Sequence, residues 1–244
     1  MGAVLLSLGF LILGIVLDEI WRYAKKRYSE RNPLDIEWFF VKAPARLATR
    51  DSLDSFECPN DVSPFEYISV RKNGVWCKRV NLRMNIRNTC EGTGTIEINN
   101  FEFSVRDSKP YDGAVIYFVP AGANETLGFI VNLDDENPAA NRCVIENHIP
   151  LDDSIIADWF GSGASISLEP EQTCHVELVA QVERKCRTFN MNINYSIAGK
   201  TKKLPNVFSK PITVTPFGRD VFKQSLVSLP GKHTFIEKDA SGKF

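Results

Sequence analysis

Arg79, Arg83 and Arg87 recur at every fourth position, with Asn81 and Asn85 between them. A guanidinium is a planar fork of five donors that fits the oxygens of phosphate and carboxylate. On an extended strand, residues two apart point the same way, so these five side chains share one face. The arginines then form a basic stripe about 28 Å long. Two explanations meet such a stripe. It binds an anionic small molecule, nucleotide or lipid headgroup, or it is neutralised by glutamates on a neighbouring strand. The second is the commoner arrangement.

Other reactive side chains are sparse and scattered. The histidines are His148, His175 and His233. His175 and Cys174 are adjacent, so they point to opposite faces of a strand, as do Cys143 and His148, five apart. Neither pair suits one tetrahedral metal. The carboxylates Asp134, Asp135 and Glu136, and Asp152 with Asp153, lack the spaced oxygen ligands of a dedicated calcium loop and read as solvated turns. The chain contains no nucleophile elbow, phosphate-binding P-loop, dinucleotide fingerprint or paired-histidine zinc motif. No cofactor or metal is expected, and the reading leans away from an enzyme.

The most directive segment is the N-terminus. Residues 1–17 carry no charged side chain and are dominated by Leu, Ile, Val, Phe and Gly. The run from Ala3 to Leu17 spans about 22 Å as a helix, against about 30 Å of bilayer hydrocarbon. Ile20, Trp21 and Tyr23 lengthen the apolar surface, and the two aromatic rings suit the interface. We therefore expect a single transmembrane helix over residues 1–23. Arg22, Lys25, Lys26 and Arg27 follow it, in a basic juxtamembrane segment over residues 24–35 that faces the membrane surface. Basic residues flank only the C-terminal end, which keeps the remainder in the cytoplasm. Nothing basic precedes the run and no small-x-small site follows, so an uncleaved anchor is expected.

The net charge of the chain is −1, which implies no general attraction to nucleic acid. Six cysteines at positions 58, 77, 90, 143, 174 and 186 contain no C-x-x-C pair. On the cytoplasmic side they are free thiols. In an extracytoplasmic domain they would permit disulfides.

Beyond the anchor the dominant signal has period two. Trp76, Val80, Leu82, Met84 and Ile86 alternate with the arginines and asparagines, predicting one half-buried strand over 76–88. Ile96 and Ile98 share one parity while Phe101, Phe103 and Val105 take the other, so the switch at Asn99-Asn100 is read as a bulge or as two strands meeting at a bend. Residues 173–183 and 189–197 alternate strongly and read as a long antiparallel hairpin, the second strand with Asn190, Asn192 and Asn194 on its wet face. Weaker strands are expected near 114–119, 127–133, 143–149, 164–168 and 212–215. Residues 42–64 read as irregular, 152–160 as a capped turn, and 219–229 as a C-terminal helix closed by Pro230.

The stretch Ser167-Leu-Glu-Pro-Glu-Gln-Thr-Cys-His-Val176 and the strands after it resemble bacterial immunoglobulin-like sandwich domains. There a leucine-x-proline-glycine turn precedes a strand; Glu171 stands at the glycine position. The resemblance covers about thirty residues and implies a fold only. Together these signals predict a mainly β protein, an antiparallel immunoglobulin-like β-sandwich over 36–216 behind the membrane helix, with a helix or tail over 217–244. The expected function is a non-catalytic interaction module at the cytoplasmic membrane surface. Its partners would be the bilayer and an unidentified protein, with homo-oligomerisation open. Two alternatives are an anion-sensing domain built on Arg79, Arg83 and Arg87, and an extracytoplasmic disulfide-containing binding domain.

Overall fold

Alternating side chains bury one face of each strand, and here two such faces close on each other. The computed structural model describes residues 17–21, 23, 33–41, 45–55, 57–90, 94–118, 125–146, 149–218, 221–229 and 231–237. The strands are β1 (Leu34–Phe40), β2 (Ala45–Ala48), β3 (Val75–Cys77), β4 (Arg79–Asn88), β5 (Ile96–Asp107), β6 (Ala114–Phe118), β7 (Glu125–Asn132), β8 (Asn141–Glu146), β9 (Ile149–Pro150), β10 (Ile166–Leu168), β11 (Thr173–Gln181), β12 (Arg187–Ile197), β13 (Lys200–Leu204), β14 (Ile212–Thr215), β15 (Gln224–Ser228) and β16 (Phe235–Glu237). One sheet has the order β1-β4-β11-β7-β8-β9. The other runs β10-β5-β12-β14-β3-β2-β6-β15-β16, with β13 also on β12. The arrangement is a sandwich, as expected, but not wholly antiparallel. The pairings β7/β11, β3/β14 and β6/β15 are parallel.

The expected core faces hold. Val80, Leu82, Met84, Val176, Leu178, Val182, Met191, Ile193 and Tyr195 are all buried. They join one continuous core with Ile96, Ile98, Phe101 and Phe103 from β5. Aromatic contacts run through it. Trp38 meets Phe40 and Phe208 edge-on at 5.3 and 5.1 Å, and Phe101 meets Phe129 edge-on at 5.3 Å. Edge-to-face pairs of this kind add about 0.5–1.5 kcal/mol to what burial contributes. The bulge also falls where parity predicts it: Asn100 pairs Asn194 while Ile98 pairs Tyr195, leaving Asn99 as the extra residue.

Two expected pairings are corrected. The stretch 76–88 is not one strand. Lys78 adopts a left-handed conformation, φ 68°. The chain turns there, so Trp76 and Cys77 lie in one sheet and Arg79 begins the other. Likewise β11 and β12 do not form a hairpin. β11 pairs β4 and β7, and β12 pairs β5, β13 and β14, so residues 182–186 cross from sheet to sheet. Alternation marks a buried face equally well in either sheet; it does not say which sheet a strand joins.

Other corrections lie at the margins. Residues 224–228 and 235–237 are strands, not a helix; the first covers the edge of β6 and the second pairs with the first. Leu226 and Phe235 enter the core, so the folded unit extends beyond 216 and starts at Leu34. The nominally irregular region holds β2, between β3 and β6. Asn190 and Asn192 are buried rather than wet. Asn190 donates to the Phe208 carbonyl at 2.9 Å and accepts from the Phe208 N–H at 3.1 Å, and Asn192 accepts from the Asn206 N–H at 3.0 Å. These bonds strap residues 206–208 along β12 between β13 and β14. Residues 152–154 form one 3₁₀ turn.

Among the described residues no helix is long and apolar enough to cross a membrane. Residues 17–21 and 23 are helical, with Leu17, Ile20, Trp21 and Tyr23 exposed. The membrane-helix expectation rests on residues 1–16, which lie outside the described residues.

The turn before β11 has a testable oddity. Gln172 N–H donates to the Glu169 carbonyl at 3.0 Å, Pro170 is second in the turn, and Glu171 is third with φ 63°. This is a type II turn, which favours glycine at its third position. A side chain there costs about 1 kcal/mol. Glu171 also pairs with Arg87, both side chains about half exposed, and such a surface pair contributes at most about 1 kcal/mol. Glu171→Gly is expected to leave the fold intact and to change Tm by about 0 to +4 °C in a thermal melt, and not to lower it.

Candidate functional site

The outer face of the first sheet carries the arginine stripe, and neighbouring strands decide its chemistry. Register sets Arg79 opposite Gln181, Asn81 opposite Val179, Arg83 opposite Glu177, Asn85 opposite His175 and Arg87 opposite Thr173. Arg83 Nε lies 3.4 Å from a Glu177 carboxylate that is buried. Arg87 pairs with Glu171 from the type II turn. His175 Nδ1 and Asn85 Oδ1 are 2.7 Å apart. Two of the three guanidiniums are therefore neutralised within the protein.

Arg79 differs. Its row continues through Gln181 to Asn132, all without a carboxylate. It is half-buried and forms no ion pair among the described residues. Burial, and after it the nearby Arg46 charge, push its guanidinium below the ordinary arginine value. Sequence reading missed Arg46 because β2 is too short to show a period.

The acidic loop after β7 has a structural use. Asp134 accepts from the N–H groups of Glu183 and Arg184 at 2.8 and 2.7 Å, and from Arg187 Nε at 3.3 Å. Arg187 also pairs with Asp107. Burial alone would raise the Asp134 carboxyl, but the two backbone N–H donors and Arg187 outweigh it and hold the group below the usual carboxylate value. Asp134 thereby fixes the crossover between β11 and β12. Among the described residues no group of His, Cys, Asp and Glu has the makings of a metal site.

All six cysteines are free thiols on separate elements, so the disulfide-containing alternative has no bridge to rest on. Burial pushes Cys77 up to about 12, and Cys143 and Cys174 up to about 11, which leaves them unreactive at neutral pH. His148, Arg22, Lys25, Lys26 and Arg27 lie outside the described residues, so the membrane-surface assignment has no geometry here.

A second candidate is the free edge of β1. Val41 N–H donates to the Asn81 carbonyl at 2.9 Å and Thr89 N–H to the Pro33 carbonyl at 2.8 Å. With the register Leu34↔Asn88 to Phe40↔Leu82, this turns the peptide groups of Asp35, Glu37 and Phe39 toward β4. Those of Leu34, Ile36, Trp38 and Phe40 face outward, on the terminal strand of the sheet. Asp35, Glu37 and Phe39 are exposed, while Ile36, Trp38 and Phe40 pack against the core.

No protein-family model matches the chain, and no curated protein matches it in sequence.

The Asp134 clamp sets a pH dependence. A carboxyl whose folded value lies below its unfolded one stabilises the fold above the unfolded value, about 3.9, and that contribution is lost as pH falls through the folded value. Asp134→Asn is expected to cost about 3 kcal/mol at pH 7, from charged hydrogen bonds and a broken buried pair. Melts from pH 7 to pH 3 should show the difference between parent and variant shrinking below about pH 4.

Proposed function

We propose that this chain is a non-catalytic interaction module, tethered to the cytoplasmic face of a membrane, which takes up a partner's extended segment on the edge of β1. The carrying observation is that edge: a seven-residue terminal strand whose outward peptide groups meet no partner strand among the described residues. Such an edge accepts another strand by main-chain hydrogen bonds, and alternate side chains supply specificity. Here one face of the added strand lies beside Asp35 and Glu37, and the other beside Ile36, Trp38 and Phe40. The matching occupant is a segment alternating basic with apolar residues. A second copy of β1 is the poorer fit, because it brings its own Asp35 and Glu37 to the same face.

The uncharged run over residues 1–17 and the basic residues after it support the tether and its orientation. Residues 24–33, even fully extended, reach about 36 Å, so β1 stays close to the bilayer. The immunoglobulin-like likeness of the turn at Glu171 and the strands after it fits such a module.

Each half of this reading has its own test. Deleting residues 1–17 is expected to move the chain from the membrane to the soluble fraction; retention in the membrane would remove the tether. For the edge, the probe is a labelled Lys-Val alternating peptide, read by fluorescence anisotropy against the full chain in detergent. Binding is expected for this peptide and not for its Glu-Val counterpart. Ile36→Pro removes one outward N–H and should abolish binding with a modest loss of Tm, whereas Glu37→Pro removes a bond to β4 and should destabilise the sheet far more. Equal binding by the Ile36→Pro variant would overturn strand addition.

A further inference from the structure

The outer face around β2, β3 and β6 gathers cations onto aromatic rings. Arg46 lies opposite Tyr117 in the β2/β6 pairing. The β2/β3 register, in which Leu47 meets Trp76, sets Arg46 against Cys77 on the other side. Directly paired residues share a face, so Arg46, Tyr117 and Cys77 lie side by side. The guanidinium of Arg46 sits 5.4 Å from the Tyr117 ring centre and 4.6 Å from that of Phe217. Phe217 stacks in turn on Phe222 at 6.1 Å. Two residues past Cys77, after the left-handed turn at Lys78, Arg79 begins β4 within electrostatic reach of both Arg46 and Tyr117.

The other stripe arginines each have an acid; among the described residues this pair has none. Neither Arg46 nor Arg79 forms an ion pair among the described residues. Asp134, two residues past the Asn132 of the Arg79 row, is already engaged by Arg187 and two backbone N–H groups. Two half-buried like charges, held together by the strands that carry them, are unfavourable until an anion joins them. Guanidinium forks supply bidentate donors, and the ring walls hold one of them in place.

We propose that Arg46 and Arg79 form a binding site for a phosphate group, with Tyr117 and Phe217 as its walls. Its position is the sheet corner, where β3 passes into β4, and not the length of the stripe. The group belongs either to a soluble phosphate ester or to a phospholipid headgroup; both present the same oxygens. This site uses none of the residues of strand addition at β1 and stands independently of it.

The test uses the full chain in detergent at low salt. Calorimetric titration with inorganic phosphate and with glycerol 3-phosphate is set beside flotation with phosphatidylcholine vesicles, with and without phosphatidic acid, using the chain lacking residues 1–17. Saturable one-to-one binding is expected. Arg46→Gln and Arg79→Gln should each weaken it at least tenfold, and Arg79→Lys should recover only part, since it restores charge without the fork. Arg83→Gln and Arg87→Gln should leave it unchanged. Binding of the free phosphates identifies a soluble ester as the source; binding of phosphatidic acid vesicles alone identifies a headgroup. Absence of saturable binding to all four probes, or equal losses in the Arg83 and Arg79 variants, would overturn the site. A melt gives a second readout. Without phosphate, Arg79→Gln should match or exceed the parent in Tm, because it removes an uncompensated charge, while phosphate should raise the Tm of the parent only. A lower Tm for ligand-free Arg79→Gln would make the residue structural instead.

Discussion

One residue ties the two sheets together through both of its backbone groups. Lys78 donates its N–H to Thr215 in the second sheet at 2.8 Å and accepts on its carbonyl the N–H of Val182, the residue after β11 in the first, at 2.9 Å. It does so in the left-handed region, which a side chain enters only at a cost. That geometry lets the chain leave β3 in one sheet and begin β4 in the other within a single residue. The second crossing, at residues 182–186, is therefore fixed at the same corner. Asp134 and Arg187 complete it from below with buried, charge-assisted bonds. If the corner opened, β4 and β11 could still pair, but their continuations would no longer face the opposite sheet.

The same corner sorts the electrostatics of the outer face. Away from it, strand pairing brings Glu177 beside Arg83, and the turn before β11 brings Glu171 beside Arg87. At the corner the neighbouring strand supplies Gln181, and the second sheet supplies another arginine from β2. An arginine that looks equivalent to its fellows along the chain is set apart by the strand that ends next to it.

Much of the sandwich is legible as a sequence because burial on one face imposes period two. Leu82, Met84, Val176, Leu178, Met191 and Ile193 were placeable on that ground, and so was the parity change at Asn99. Sheet membership was not, since β11 and β12 alternate alike whether they pair or oppose. Nor was β15: Val221, Phe222, Ser225, Leu226 and Leu229 are spaced like one face of a helix, and only the edge of β6 makes them a strand. At the candidate site, the stripe itself could be read but its neutralisation could not. The partner of Arg87 comes from a turn, and Arg46 from a strand of four residues. Buried Asn190 looked wet because the 206–208 strap that satisfies it shows no pattern of its own.

The extra residue at Asn99 also limits how the chain can go wrong. β5 and β12 form the longest pairing in the molecule, joined across some ninety residues, so they meet late and by diffusion. Here the parity of β5 reverses at the bulge, while β12 keeps one parity from Phe189 to Ile197. A pairing without the extra residue would bury only one half of β5 and turn either Ile96 and Ile98 or Phe101 and Phe103 into solvent. Bulge-free pairings are thus rejected, and one seemingly irregular residue is the condition for burying both halves of the strand.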